Sequence, residues 1–307
     1  MSLSTKSVTA VVPAKINLAL AVGPVRVDGF HELATVYQAV GLFDEVTATR
    51  RNPGSGVTMT VAGPEADAVP CDATNLAWLA AEAVAAEADV VPDVHLHIVK
   101  RIPVAGGMAG GSADAAGALL ACDILWRASL HRERMLELAA DLGSDVPFLL
   151  HGGTAVGTGR GERITAAMAR GSYHWVFALS DRGLSTPRVY AECDRLRAGA
   201  KVTEPVIPAG LMEALLAGDP ARVGAELAND LQPAAISIRP ELDMVLEIGR
   251  DAGALGAVLS GSGPTCAFLV ADDEAALDLA VSLSASGLCS GVARAEGPVG
   301  GARLKDG

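Results

Sequence analysis

The sequence predicts a two-domain protein that mixes helices and strands, and three observations carry that prediction. The chain has 307 residues, more than one domain of about 100–150 residues usually holds. Half of them are apolar and a fifth are charged, the balance of a chain with a core to bury rather than of a disordered one. Along it, alternating stretches such as Val94-x-Leu96-x-Ile98 take turns with long alanine-rich ones such as Ser112 to Trp126, strand and helix periods respectively. Glycine-rich Gly152 to Gly161 marks the expected boundary, giving domains of residues 1–160 and 161–307.

Val8 to Val12 and Ile16 to Val22 predict two strands broken by Pro13-Ala14-Lys15. After the polar Asp28-Gly29 loop, Leu33 to Val40 fits either helical or strand period. Val46 to Arg50 and Val57 to Val61 predict a hairpin around Asn52 to Gly56. Thr74-Asn75 caps a helix from Leu76 to Ala88. Val94 to Ile98 is a half-buried strand with His95 and His97 on its polar face, a pair without a third metal ligand in view. The glycine loop and the Ser112 to Trp126 helix follow, then a helix from Arg132 to Leu142 and another element that begins at Ser144-Asp145-Val146-Pro147. Trp175 to Leu179 reads as a strand; Leu211 to Ala217, Ala221 to Leu227 and Glu241 to Ala252 read as helices. Ala257 to Leu259, Ser260 to Pro264 and Thr265 to Val270 read as strand, tight turn, strand, and the tail after Gly297 as loose.

The formal net charge of −12 excludes a nucleic-acid groove, which needs a basic stripe to displace counterions from phosphates. Any phosphate ligand must be held locally. Five scattered cysteines, odd in number and without a C-x-x-C pair, predict neither a disulfide framework nor a zinc site and fit a reducing cytoplasm. No apolar run approaches the roughly 20 residues of a membrane span, and MSLSTKS has no apolar signal core. Lysine is scarce, five against nineteen arginines, so a lysine inside a structured element needs a reason.

The stretch Pro103 to Gly117, PVAGGMAGGSADAAG, offers such a local phosphate site. Without Cβ atoms, a glycine loop brings its N–H groups close to a ligand. At a helix start those groups lack intrahelical partners and lie in the positive end of the helix dipole. Ser112 adds a hydroxyl that can cap the helix or reach a phosphate-bound magnesium. Close strand-to-helix packing also selects small residues, and that reading stands beside the first. No lysine follows the glycines as in a P-loop, and the stretch has no G-x-G-x-x-G. Phosphoryl transfer further needs a cation and a group to orient or deprotonate the accepting hydroxyl; Lys15 and Asp145 are candidates.

Pro103 to Asp114, as P-x-x-G-G-M-A-G-G-S-A-D, resembles the phosphate loop of the GHMP kinases, the group of galactokinase, homoserine kinase, mevalonate kinase and phosphomevalonate kinase. Ser260-Gly261-Ser262-Gly263-Pro264-Thr265 resembles their C-terminal glycine motif. Pro13 to Leu18 (PAKINL), Asp28 to Leu33 (DGFHEL) and Gly143 to Phe148 (GSDVPF) are similar to the members that act on a cytidine-diphosphate-linked methylerythritol. The resemblance implies an α+β fold with a ribosomal-protein-S5-like N-terminal domain and a ferredoxin-like C-terminal one. It implies ATP on the glycine loop, the alcohol between the domains, and transfer of the γ-phosphate to the 2-hydroxyl in the non-mevalonate route to isoprenoids.

By position, the resemblance makes Asp145 the catalytic base and Lys15 its partner. It assigns ATP to Pro103, Val104, Ala105, Gly106, Gly107, Met108, Ala109, Gly110, Gly111, Ser112 and Ala113, with Asn75 and Lys100 near the nucleotide. A helix cap and a strand-end charge explain those last two equally. His31 matches the residue that reads cytosine, Phe30 and Tyr190 the aromatics that sandwich it, Asn17 a substrate-hydroxyl or backbone-ordering residue, and Thr186-Pro187 part of the substrate wall. Magnesium is expected to arrive with ATP, with Ser112 as a contact and no protein metal site. A cytoplasmic monomer or homodimer is expected, bound to neither nucleic acid nor membrane. Ala105, Ala109 and Ala113 stand where many relatives carry glycine or serine, and Phe30 where tyrosine is frequent. A homoserine or mevalonate kinase would share the loop but have no use for Gly-Phe-His, and an inactive nucleotide-binding relative would not need both Lys15 and Asp145. A nicotinamide enzyme lacks its dinucleotide fingerprint.

Overall fold

The computed structural model describes residues 6–104 and 106–305. Its first sheet is built on two very long antiparallel strands, β1 (Ser7–Val25) and β2 (His31–Arg50). Pro13 does not break β1: the register slips between Pro13 and Ala14, so the proline sits at a bulge where it owes no ladder hydrogen bond. The ambiguous stretch Leu33 to Val40 is strand, buried on both faces, which is why no period stood out.

β2 changes partner along its length. Its second half pairs antiparallel with β4 (Val94–Val99), its first half with β5 (Thr154–Gly159), which in turn pairs with β6 (Arg163–Ala166) across the expected boundary. The hairpin expected between β2 and β3 (Val57–Ala62) is absent. β3 lies outside β4 and parallel to it. The helix between them, α1 (Leu76–Glu87), explains this, since parallel neighbours need a crossover and a helix provides it. α2 (Gly110–Trp126), α3 (Arg132–Leu142) and α4 (Val146–His151) follow. α2 packs its alanines and Gly117 directly on the sheet, where a Cβ at 117 would lie 2.7 Å from a Val46 methyl.

The second sheet runs β11 (Gly291–Gly297), β7 (Tyr173–Leu179), β10 (Cys266–Val270), β9 (Gly256–Leu259), all antiparallel. Read in chain order that is 4-1-3-2, the ferredoxin-like arrangement the resemblance implied. β7 shows the alternation that binds the halves together. Tyr173, Trp175 and Phe177 point into the core of the first sheet, whereas Val176 and Ala178 meet the helices behind. Those helices are α5 (Thr186–Leu196), α8 (Gln232–Ile238), α9 (Glu241–Asp251) and α10 (Asp273–Ala285), with α6 (Ala209–Ala217) and α7 (Pro220–Ala225) between α5 and α8. The two-residue strand β8 (Ala228–Asn229) runs parallel to β1.

The tail expected to be loose is pinned. Val299 N donates to Ala39 O at 3.1 Å, Ala302 N to Leu149 O at 2.8 Å, and β12 (Arg303–Leu304) extends the first sheet beside β1. Its backbone donors are satisfied by the sheet, a pairing that local sequence does not announce.

Candidate active site

Four segments converge on one cleft: β1, the glycine loop with the start of α2, the start of α4, and the turn between β9 and β10. Lys15 and Asn17, two residues apart, share a face of β1 and are both buried. The Lys15 ammonium donates to Asn17 Oδ1 at 2.7 Å, the Asn17 amide donates to the Thr35 hydroxyl at 2.8 Å, and that hydroxyl donates to Ala19 O at 2.7 Å. This relay turns the Asn17 oxygen toward the lysine. The ammonium then faces Asp145, whose Oδ2 is 3.6 Å away. Asp145 occupies the N-cap position of α4 without capping it, so its half-buried carboxylate is left to the cleft. The Tyr37 ring lies 5.6 Å from Lys15 Nζ. Burial, then the charge of Asp145, holds the Tyr37 phenol well above its ordinary pKa, so it keeps its proton.

In the glycine loop, Gly107 at φ +78 and Ala109 at φ +61 turn the chain into α2. The first intrahelical bond runs from Ala113 N to Ala109 O, so the N–H groups of Gly110, Gly111 and Ser112 precede the helical ladder. Ser112, half-buried, lines the cleft. The second half of the chain holds this loop from behind. Ser260 donates its hydroxyl to Gly107 O at 3.0 Å and Thr265 N donates to Gly106 O at 3.2 Å. Asn229 ties the same turn by donating to Leu259 O and Gly261 O.

The cleft consists of two cavities that meet. One, about 350 Å³, lies between the glycine loop, Lys15, Asn17 and Gly261 to Gly263. The other, about 540 Å³, is lined by Phe30, His31, Arg160, Pro187 and Asp194. Ser112, Asp145, Thr186 and Tyr190 border both, so the carboxylate stands at the junction. Phe30 is exposed with the Arg160 guanidinium 5.1 Å from its ring centre. The Tyr190 ring lies 4.9 Å from that of His31, tilted by 34°; burial, then Asp145, raises its phenol pKa. Thr186 and Ser262 hydroxyls are 2.8 Å apart, joining α5 to the second glycine turn.

Not every residue expected to touch a ligand reaches the cleft. Met108 and Ala113 are core, and Pro103 and Val104 border neither cavity; Val104 N donates to Glu65 at 2.5 Å. Ala105 lies outside the described residues. Asn75 is the cap of α1, accepting from Ala77 N at 2.8 Å and donating to Pro70 O at 2.8 Å. Lys100, expected near the nucleotide, lies beneath the loop with its ammonium donating to Asp44, to Asp114 Oδ2 at 2.9 Å and to Gly110 O at 3.1 Å. All three protons are used. Its side chain therefore braces the loop instead of facing the cleft.

That cluster is buried and its charges do not balance one to one. The Asp114 pKa is raised to about 7, by burial first and by the Asp44 charge as well, against the downward pull of Lys100. For Lys100, burial lowers the pKa but Asp114 and Asp44 outweigh it, and the net direction is up. Because the folded state keeps the Asp114 proton that the unfolded chain has lost, stability falls as pH rises from about 4 to about 7. Asp114→Asn should flatten that slope in a series of thermal melts, whereas Lys100→Met, leaving two carboxylates buried together, should cost about 3–5 kcal/mol. Parallel pH slopes in wild type and Asp114→Asn would contradict the assignment.

Tyr37, Thr35, Asp44, Arg160, Asp194 and Asn229 were not anticipated. The sequence did carry a signal for α5, which bears Tyr190 and Asp194: Ser185-Thr186-Pro187 is a helix-start pattern, and Val189 and Cys193 follow four apart on the buried face. His95 and His97 have the bland role, both contacting Thr58 or Thr60 hydroxyls. Among the described residues no cluster of three or more His, Cys, Asp or Glu side chains could hold a metal, and no helix is long and apolar enough to cross a membrane.

A glycine loop opening a helix beside an Asp–Lys pair, set between an S5-like and a ferredoxin-like half, is the architecture of a small-molecule kinase, and the chain belongs to the GHMP kinases. Residues 75–153 match the GHMP kinases N terminal domain and residues 211–287 the GHMP kinases C terminal domain. Within that family its place is among the 4-diphosphocytidyl-2-C-methyl-D-erythritol kinases. It is 57% identical to the one from Streptomyces coelicolor over 98% of this chain and all of the relative, and 57% identical to that of Thermobifida fusca over 97% and 98%. A crystal structure of 4-(cytidine 5'-diphospho)-2C-methyl-D-erythritol kinase superimposes with a TM-score of 0.74 at 30% identity, covering 97% of this chain and all of that one. Homoserine kinase from Cytophaga hutchinsonii, 18% identical with a TM-score of 0.76 over 99% of each chain, shares the fold.

Proposed function

We propose that the protein transfers the γ-phosphate of ATP to the 2-hydroxyl of 4-diphosphocytidyl-2-C-methyl-D-erythritol, a step toward isoprenoid precursors by the non-mevalonate route. Full-length similarity to kinases of that name supports the substrate. The observation that carries the chemistry is Asp145, at the junction of the two cavities and 3.6 Å from Lys15. ATP occupies the cavity between the glycine loop and Lys15, its phosphates on the N–H groups of Gly110 to Ser112, and the alcohol reaches Asp145 from the second cavity. The carboxylate accepts the hydroxyl proton as the oxygen attacks. Lys15, 3.6 Å from that carboxylate, offsets charge on the transferring phosphoryl group. Because the transition state is loose, holding the groups in line matters more than base strength. Asn17, locked by Thr35, orders the lysine.

Magnesium enters with ATP in this reading. A free Ser112 hydroxyl and one open carboxylate suit an ion that keeps most of its waters and its phosphate ligands, and when bound it neutralises phosphate charge. Residues 1–160 carry the ATP side and 161–307 close the substrate side. The five cysteines are free thiols, in keeping with a reducing cytoplasm.

In the second cavity His31 meets the cytosine, and Phe30 and Tyr190 flank the ring. The test is ADP release with ATP, magnesium and the cytidylated alcohol, with homoserine and mevalonate in parallel. Turnover on the cytidylated alcohol alone is expected; turnover on either other alcohol instead would remove the substrate assignment. In the same assay His31→Ala should raise KM for the cytidylated alcohol by about tenfold, the worth of one buried hydrogen bond, and leave KM for ATP unchanged. Equal effects on both would make the histidine structural.

A further inference from the structure

His31 does not stand alone in the second cavity. Its Nε2 lies 2.9 Å from Oδ1 of Asp194, a residue of α5 that faces outward while Val189 and Cys193 face the core. A carboxylate can only accept, so Nε2 carries the proton, and the neutral ring keeps its lone pair on Nδ1. That nitrogen makes no hydrogen bond among the described residues and is not one of the buried polar atoms sealed without a partner. His31 lines the cavity, which leaves Nδ1 as the ring nitrogen available to a ligand. The Tyr190 ring beside the imidazole and the ladder pairing of His31 with Val25 hold the ring in place.

We propose that Asp194 is a positioning residue that fixes the His31 tautomer and thereby makes the protein accept a cytidine nucleotide and refuse its uridine counterpart. This rests on the reading that His31 meets the pyrimidine. Cytosine carries an amine donor where uracil carries a carbonyl acceptor. A lone pair on Nδ1 bonds the amine and repels the carbonyl. With the opposite tautomer the preference inverts at that atom, so discrimination depends on the carboxylate that chooses the tautomer.

The experiment compares kcat/KM for 4-diphosphocytidyl-2-C-methyl-D-erythritol and for its uridine analogue in the wild type, Asp194→Ala and Asp194→Asn, at saturating ATP. The wild type should prefer the cytidine compound. Asp194→Ala should shrink that preference by about tenfold or more, through KM for the cytidine compound, with KM for ATP within about twofold of wild type. Asp194→Asn, whose amide oxygen still accepts from Nε2, should recover most of the preference. Nitrogen-15 spectra should show the wild-type His31 ring protonated at Nε2 and a tautomer mixture in Asp194→Ala. An unchanged preference in Asp194→Ala, or a wild-type ring protonated at Nδ1, overturns the role of Asp194 and leaves the base-reading site standing. A wild type indifferent to the base overturns both.

Discussion

Asp145→Asn is expected to lower kcat by about 100-fold or more, the range in which a positioned general base contributes, while ATP still binds. The amide matches the carboxylate in size but cannot take the hydroxyl proton, and Lys15, 3.6 Å away, loses the charge it faces. The phosphate loop owes nothing to Asp145: its amides and its contacts with Ser260 and Thr265 are unchanged. Single-turnover phosphate transfer together with ATP titration by calorimetry separates the two effects. A variant within a few-fold of wild type would show that the alcohol loses its proton elsewhere, and lost ATP binding would mean that Asp145 shapes the nucleotide cavity.

Gly107→Ala should be nearly as damaging for a different reason. At φ +78 an L side chain is strained, and a Cβ there would fall 2.2 Å from Ser260 O and 3.1 Å from Gly263 O. Neither obstacle is a flexible side-chain end. The two glycine turns must therefore part, the Ser260 bond to Gly107 O goes with them, and ATP affinity should drop by at least about tenfold while the protein loses about 2 kcal/mol of stability or more. Gly111→Ala is the matched comparison, with nothing within 4 Å of the added methyl, and should melt like wild type. Equal melting of the two variants would mean that the turns are not in contact in solution.

What could be read from the chain alone followed from how local each signal is. The helix cap at Asn75, the glycine loop and the strand-turn-strand around Ser260 to Pro264 are set by neighbours in sequence, and all three stand where expected. Lys15 and Asp145 were legible as motif residues, but Tyr37 and Thr35 beside them were not, because a strand buried on both faces hides which residue looks into a cleft. Lys100 was legible in position but not in its partners. Its motif position placed it by the nucleotide, and only tertiary structure could reveal Asp44 and Asp114 below the loop claiming its protons. The hairpin expected at Asn52 to Gly56 failed on topology, since turn chemistry there says nothing of the strand β4 that intervenes.

The pinned tail sets an order of events for the chain as it is made. Arg303 and Leu304 pair with Val11 and Ala10, a few residues from Lys15 on the same strand, and Val299 bonds Ala39. These contacts close loops of almost the full chain length, the slowest kind to form. Synthesis runs at about 5–20 residues per second, so β1 waits on the order of 15 seconds or more for its last neighbour. Through that interval one edge of the catalytic sheet is open, a span in which a chaperone or a second nascent chain can reach it before Arg303 and Leu304 do.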